Sequence, residues 1–540
     1  MKQNITYVLS LVLVAGLMVG CVDLEVENRN SPDRAQALSD PGDVQNLIAD
    51  TFQDYWRTTQ WCGMSMMLST MADAHSCSWA NWGMRDMSSE PRIAWNNDPS
   101  YSRRTSVSNP WFRAYVTISN TNDGLNAISA AEAEGSVDEN VFTRQGIDTQ
   151  KLKAFAKFNQ GLSHGLLALM FDQAFIVTED VDLENDALEL RPYAEVAEAA
   201  INMLDEAIAL ANANSFVITE DEDWIFGNEV SNTRLAQIAS SYKARIRAQV
   251  ARTEAERAAV NWSAVISDIQ NGITESFIPI GDDDGDQEWD CMKFYGTDGG
   301  TWARADYRTI GPADEAGGYQ NWLNTPTEDR EVFDIVTADR RIQGQGGVDA
   351  DGSYFQYFGV AGPFPAARGT YHYSSHTPVR WKPYRDANAN GPMPVMLMAE
   401  MDMLHAEALL QTGGSTATVA ELINKTRVAN GELNPATAGD AVGSQSDDQS
   451  HLDSASLWAK LKHEKRIETL LTAAGLDFFD DRGWGDLVSN TPFHFPVPGA
   501  ELETLGLQQY TFGGGGAGSA PKAGDGTPEN AYWERNSRTF

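Results

Sequence analysis

A few short runs of this chain carry residue types that could do chemistry, and each reaction demands a particular backbone. Gly161-Leu162-Ser163-His164-Gly165 spells G-x-S-x-G, the spacing of a nucleophile elbow. An elbow lifts its serine on a sharp strand-to-helix turn. Here Leu152, Phe155, Leu162, Leu166 and Leu169 recur at helical spacing on both sides of the motif. The serine therefore belongs to a continuous helix, which cannot present it in that way. The run Gly281–Asp290 is acid-rich, and Asp282, Asp284 and Asp286 are its candidate calcium ligands. An EF-hand loop counted from Asp282 would need glycine where Gln287 stands, so a solvated acidic turn is the default and a structural calcium the one cofactor kept in view. His372 and His376 lie four apart in Tyr/Ser surroundings that promise no helix to align them, which argues against zinc. Cys62, His75 and Cys77 lack zinc-finger spacing, and no phosphate-cradling P-loop occurs.

The aromatics make the stronger functional argument. The C–H face of a sugar is weakly apolar and stacks on a Trp or Tyr ring, while Asp, Asn and Arg satisfy its hydroxyls. Two regions mix these types: Asp73–Asn109, which reads as a long loop, and Gly272–Pro392. The candidate stacking residues are, in order of preference, Trp82, Trp95, Trp302, Trp322, Trp79, Tyr295 and Tyr307. Against them stands the habit of Trp to be well buried, which sends most of the 15 Trp residues to the core. A glycosidase would use two carboxylates, and no motif here selects a pair. A formal net charge of −36 argues against nucleic acid, whose phosphates need a cationic footprint.

These residues must be positioned by helices. Helical periodicity covers Val44–Tyr55, Pro110–Ala131, Asp148–Phe175, Pro192–Ala211, Asn232–Arg252, Met393–Gln411, Val419–Asn430 and Leu457–Ala474, and a further apolar stretch runs from Met64 to Met71. Ala154, Phe158, Gly161 and Gly165 form a small-residue line that lets a neighbouring helix approach closely. The pairing predicts a mainly α fold of tetratricopeptide-like helical hairpins, although no clean 34-residue repeat is present. Between the hairpins, Gly272–Pro392 predicts a loop-rich, aromatic insertion of short strands. In Leu457–Leu487 the apolar face is interrupted by Glu464 and Glu468, with Lys462, Lys465 and Arg466 within reach. A buried carboxylate requires a cation, so a paired polar network is expected. Gly475 supplies the helix stop, and Asp480–Gly485 reads as a turn holding a large aromatic.

The N-terminus has a separate logic. Lys2 precedes an apolar run from Ile5 to Val19 that is short for a membrane span and fits a cleaved export signal, Met1–Gly20. Gly20-Cys21 looks like a lipobox, with Met18 a less usual residue in it. Two or more acyl chains on Cys21 would give stable attachment to a membrane, with residues 21–41 as a polar tether and residues 42–540 as a single domain. Cys62 and Cys77 can close a short disulfide loop in an oxidising compartment, which would leave Cys291 as a buried thiol.

Several of these segments together resemble the SusD/RagB family of nutrient-binding outer-membrane lipoproteins. Glu464, Arg466, Glu468, Gly475, Phe479, Asp480 and Trp484-Gly485 match its late core helix and the turn beyond. The opening Cys21-Val-Asp-Leu-Glu-Val, the stretch Trp111–Ile128 and the closing Phe493–Leu502 are also similar. Ala474 replaces a usual Glu and Asp477 a usual Arg, and Glu468 to Gly475 is about two residues longer than the common pattern, which marks a divergent branch. The resemblance implies four helical hairpins, with the two aromatic regions flanking a ligand face. It implies non-catalytic capture of a nutrient, an oligosaccharide, delivered to a SusC-like TonB-dependent transporter. A peptide ligand is the alternative, and a surface glycoside hydrolase a weaker one. It also implies a lipid-anchored protein on the outer membrane of a Gram-negative bacterium, with Asp23, Glu25 and Glu27 resembling a surface-export tract.

Overall fold

The computed structural model describes residues 38–76, 81–134, 140–183, 185–282, 288–299, 303–359 and 373–514. The leader and Cys21 lie outside these residues. The first helix, α1 (Pro41–Ala49), starts where the Asp40 carboxylate accepts the Gly42 N–H at 2.8 Å and the Asp43 N–H at 3.3 Å, with Pro41 pre-set in the first turn. It is followed by α2 (Thr51–Thr59) and α3 (Met64–Met71). Every residue of α3 is buried, as its unbroken run of Met, Leu, Ser and Thr requires.

The scaffold proper is built from α4 (Thr105–Glu134), α5 (Thr149–Met170), α6 (Tyr193–Ala213), α7 (Asn232–Gln249) and α8 (Trp262–Gln270). After the insertion, which contains the short α9 (Cys291–Tyr295), come α10 (Met398–Thr412), α11 (Thr416–Arg427), α12 (Leu457–Thr469) and α13 (Leu476–Trp484). From α4 to α8 each helix packs on the next; α8 then packs on α10, α10 on α11 and α11 on α12. The result is four hairpins, α4–α5, α6–α7, α8–α10 and α11–α12, stacked as a mainly α solenoid. The third hairpin is split by the insertion. Its ends are tied together where Gly281 pairs with Gly391 and Ile280 with Pro392 in an antiparallel ribbon, so the solenoid continues past it.

Close helix crossings explain the small residues of α5. A Cβ on Gly161 would lie 2.7 Å from Leu204 Cγ, and one on Gly165 would lie 2.5 Å from Ile246 Cδ1. Ser163 and His164 between them are fully buried. The G-x-S-x-G run is thus a packing seam of one continuous helix.

Several boundaries differ from the sequence reading. Helix α4 begins at Thr105, with Pro110 inside it, and the expected Asp73–Asn109 loop holds a short helix, Met84–Ser88. Helix α12 stops at Thr469, because Leu470 leaves the helical region at ψ 127°, and Leu471 follows in a left-handed conformation at φ 59°. The expected Asp480–Gly485 turn is instead the end of α13, bracketed by Gly475 at φ 74° and Gly485 at φ 84°. The insertion combines short strands, such as Phe355–Tyr357 paired with His376–Pro378, with helical turns at Tyr307–Ile310, Gly318–Asn324 and Lys382–Asp386. Among the described residues, no helix is long and apolar enough to cross a membrane.

The expected cysteine pairing is overturned. Cys62 bonds to Cys291, with 5.1 Å between their Cα atoms, so Cys291 is not a free thiol. Packing of α9 on α3 brings together residues 229 apart in sequence. Cys77 lies outside the described residues.

All thirteen residues of α12 are buried, and its carboxylates are paired as expected, but with other partners. Arg341, from the insertion, reaches Glu464 at 2.6 Å, Glu468 at 3.0 Å and Asp339 at 2.6 Å. Lys462, Lys465 and Arg466 point elsewhere, to Asp486 at 2.8 Å, to Asp480 at 2.7 Å and to Asp481. Burial pushes Asp339 upward, yet Arg341 and His463 hold it far below the usual carboxylate range.

Candidate ligand-binding ledge

The loop after α3 and helix α9 bring aromatic rings together beside the disulfide. Trp82 sits at φ 54° and Gly83 at φ 80°, a tight reversal at the start of the Met84–Ser88 helix. The Ser106 hydroxyl fixes this turn by donating to the Trp82 carbonyl at 2.7 Å. On the other side, Asp290 caps α9 by accepting the Lys293 N–H at 2.9 Å. The Lys293 ammonium, fully buried, returns to Asp290 at 2.6 Å and donates to the Thr472 carbonyl at 2.8 Å. The Cys291 N–H donates to the Gln60 carbonyl at 3.0 Å, and the Trp56 indole N–H donates to the Trp289 carbonyl at 3.1 Å. The disulfide and these two hydrogen bonds thus lock α9 onto the α2–α3 corner, and Lys293 ties it to the segment after α12.

Four half-buried rings stand on this base. Trp82 lies 6.1 Å from Tyr295 between centroids, Trp289 lies 5.7 Å from Tyr295 and 5.8 Å from Phe294, and Phe294 lies 5.2 Å from Tyr295. The rings meet edge to face or tilted, the favoured geometry for aromatic groups. Beside them Arg385 pairs with Asp298 at 2.7 Å, and its guanidinium lies 6.0 Å from the Phe294 ring. A second half-buried group adjoins the same scaffold turn: Arg380 lies over Tyr354 at 4.2 Å and over Trp381 at 4.6 Å, and the Trp381 indole donates to the Leu470 carbonyl at 3.0 Å. Partly exposed rings on a rigid base, flanked by a carboxylate and a guanidinium, can stack against the apolar face of a ligand and hydrogen-bond its hydroxyls.

No family profile and no curated protein matches the chain. Solved structures do. A SusD superfamily protein from Bacteroides vulgatus aligns over 86% of this chain and 97% of its own length, with a TM-score of 0.53 at 15% identity. The chain has the SusD-like fold. A SusD-like carbohydrate binding protein from Bacteroides fragilis aligns over 85% of this chain and 90% of its own, with TM-score 0.53 and 14% identity. Surface glycan-binding protein A from Bacteroides uniformis covers 85% and 97%, with TM-score 0.53 and 13% identity.

In this SusD-like chain, Trp82 and Tyr295 are the two sequence-predicted stacking residues that come together. Three others are corrected to core positions. Trp95 is 1% exposed, with Tyr101 and Phe495 each 5.4 Å away edge-on. Tyr307 is stacked on Phe333 at 4.3 Å, and its hydroxyl donates to the Phe333 carbonyl at 2.6 Å. Trp322 lies between Tyr319 and Tyr307, with the Arg330 guanidinium 4.2 Å from its ring. Neighbours occupy these rings, so a ligand cannot stack on them. Trp79 and Trp302 lie outside the described residues, as do Asp284 and Asp286. Asp282 and Asp223 face Glu288, whose carboxyl is pushed up to about 7 by burial first and by those two charges second. Among the described residues no three metal-ligating side chains converge. Sequence reasoning did not single out Trp289, Phe294, Asp298 or Arg385. Their signal was proximity to Cys291, which becomes informative once that cysteine is known to be bonded to the scaffold.

Proposed function

We propose that this SusD-like chain is a non-catalytic nutrient receptor that takes an oligosaccharide on the Trp82–Tyr295 ledge. On this reading it is held at the outer face of the outer membrane through acylated Cys21 and passes its ligand to a SusC-like TonB-dependent transporter. The observation that carries the reading is the half-buried ring cluster on a disulfide-fixed base, with Asp298 and Arg385 beside it. A pre-ordered ledge reduces the entropy lost on binding, while contact through a few rings keeps affinity moderate and release feasible. Two of the fold neighbours bear carbohydrate- or glycan-binding names, which supports the ligand class.

Titration calorimetry against a panel of neutral oligosaccharides tests the ledge. Trp82→Ala and Tyr295→Ala are each expected to weaken binding about tenfold, the equivalent of about 1.4 kcal/mol, and chromatography of the mixture should find the oligosaccharide intact. Affinity indifferent to both substitutions, or released product, would overturn the reading. For the anchor, Cys21→Ala should move the protein from the membrane to the soluble fraction.

A further inference from the structure

A second opening, built from other residues, lies between the insertion and the α12–α13 corner. It is a cavity of about 530 Å³, within the range of small-molecule sites. Its floor includes the buried Asp73, Arg466, Asp481 and Trp484, and its rim includes the exposed Glu254 and Asp448. Six carboxyl side chains line it against two guanidiniums. Three of the carboxylates are ion-paired, Asp73 with Arg92 at 2.7 Å, Asp486 with Lys462 at 2.8 Å and Asp481 with Arg466, and Arg308 is engaged by Glu90 at 2.8 Å; Glu254, Asp314 and Asp448 carry no ion pair among the described residues, so the negative charge facing the cavity is theirs.

The hydrogen-bond inventory of the lining adds an independent observation. Asp481 is 2% exposed, and its Oδ1 has no hydrogen-bond partner among the described residues. Gln449 Oε1 on the same lining also has no hydrogen-bond partner among the described residues, and Arg308 Nε has no hydrogen bond there although it lies 3.8 Å from the Asp73 carboxylate. A buried polar atom without a partner loses the hydrogen bonds water gave it, so such atoms are rarely left unmatched. Two of the three are acceptors and one is a donor. Tyr319 and Trp484 add apolar wall.

We infer that this cavity is a second ligand site, separate from the aromatic ledge, which seats the protonated amine of an amino sugar. An ammonium supplies donors only, and so matches Asp481 Oδ1 and Gln449 Oε1 within an acidic lining. The sugar's hydroxyl oxygens can accept from Arg308 Nε, and its C–H face can lie against Tyr319. A lysine side chain offers donors alone and leaves the Arg308 Nε–H without a hydrogen-bond acceptor. A bare metal ion would need converging ligands, and among the described residues no such group is present. This assignment does not depend on the ledge binding anything.

The test is calorimetry on the full chain at low ionic strength, with the tetramer of glucosamine and its fully N-acetylated counterpart as probes. The amine form is expected to bind at least about tenfold more tightly, with the preference shrinking as salt is raised. Glu254→Gln with Asp448→Asn changes two exposed rim carboxylates and is expected to cut that preference about three- to tenfold, leaving neutral oligosaccharides at the ledge unaffected. The preference should persist in Trp82→Ala, which separates this site from the ledge. Equal affinity for the two tetramers would overturn the proposal, as would a preference untouched by the rim variant. Tetralysine binding as tightly as the glucosamine tetramer would overturn the amino-sugar assignment.

Discussion

His164 illustrates how a residue that invites a catalytic reading is instead fixed as a neutral bridge. Its Nε2 accepts the Val177 N–H at 3.2 Å, so the proton sits on Nδ1, which donates to the Gln160 carbonyl at 2.9 Å. Burial lowers its pKa to about 4, a shift opposed by the Gln160 bond and helped by Lys157. Burial takes His75 to about 4 as well. In the unfolded chain a histidine titrates near 6.5, and the folded value is lower, so the unfolded state takes up the proton first. The stability tied to His164 is therefore complete above about pH 6.5 and is lost as pH falls toward 4, at most about 3 kcal/mol for such a shift. Glu288, raised to about 7, and Asp477, raised to about 6 chiefly by burial, act with the opposite sign, favouring the fold as pH drops. The decisive readout is consequently a difference. Thermal midpoints of His164→Gln should fall less steeply than wild type between pH 7 and 4.5, and parallel curves would refute the account. At this scale the sequence is ambiguous for a physical reason. A Trp or Tyr ring suits a core and a sugar equally well, and only tertiary neighbours decide that Trp82 is half-exposed while Trp95, Tyr307 and Trp322 are enclosed.

At the scale of elements, the crossing of α5 with α6 and α7 is set by two glycines. Alanine improves intrinsic helix propensity by about 1 kcal/mol, but overpacking costs about 1–3 kcal/mol, and the outcome depends on what must move. At Gly165 the obstacle is the terminal methyl of Ile246, which can rotate; at Gly161 it is Leu204 together with the Ala200 backbone carbonyl at 3.0 Å, which cannot. Gly161→Ala should thus be the more destabilising of the two, by about 1–2 kcal/mol in urea unfolding. The Cys62–Cys291 bond joins the turn between α2 and α3 to α9, so Cys62→Ser with Cys291→Ser should cost about 2–5 kcal/mol and also weaken ligand binding at the ledge, since Tyr295 rides on α9. Retained affinity in the double variant would show that the ledge is ordered without it. Helices were the legible part of the chain, because an apolar face at period 3.6 is a local property. Their ends were less so: α12 is stopped at Leu470-Leu471, two residues with no turn propensity, and α13 fits between two glycines that read locally as turn signals.

At the scale of the whole molecule, the insertion and the solenoid are joined through charge as well as through the disulfide. Glu464 and Glu468 lie four apart on one face of α12, whereas Lys465 and Arg466 are one and two residues beyond Glu464 and project from other faces. That geometry sends the helix's own cations to α13 and leaves its carboxylates to Arg341, 123 residues away from Glu464. The need for a cation could be read from the sequence, but its source could not, since only the folded insertion delivers it. Removing the guanidinium should therefore act on the join between the two parts. Arg341→Met leaves Asp339, Glu464 and Glu468 sharing a buried pocket without that cation, a loss of about 3–5 kcal/mol for a pair broken from one side. Lysine cannot replace the fork that Arg341 spreads over three carboxylates, so Arg341→Lys should recover little of this. Hydrogen exchange localises the damage. Amides around Arg341 and the Phe355–Tyr357 strand should lose protection first, while the α4–α5 hairpin, which supplies none of the ion-pair partners of Arg341, keeps its own. Uniform loss of protection across both regions would mean that insertion and solenoid unfold as one unit, and that Arg341 stabilises the whole chain and not the join.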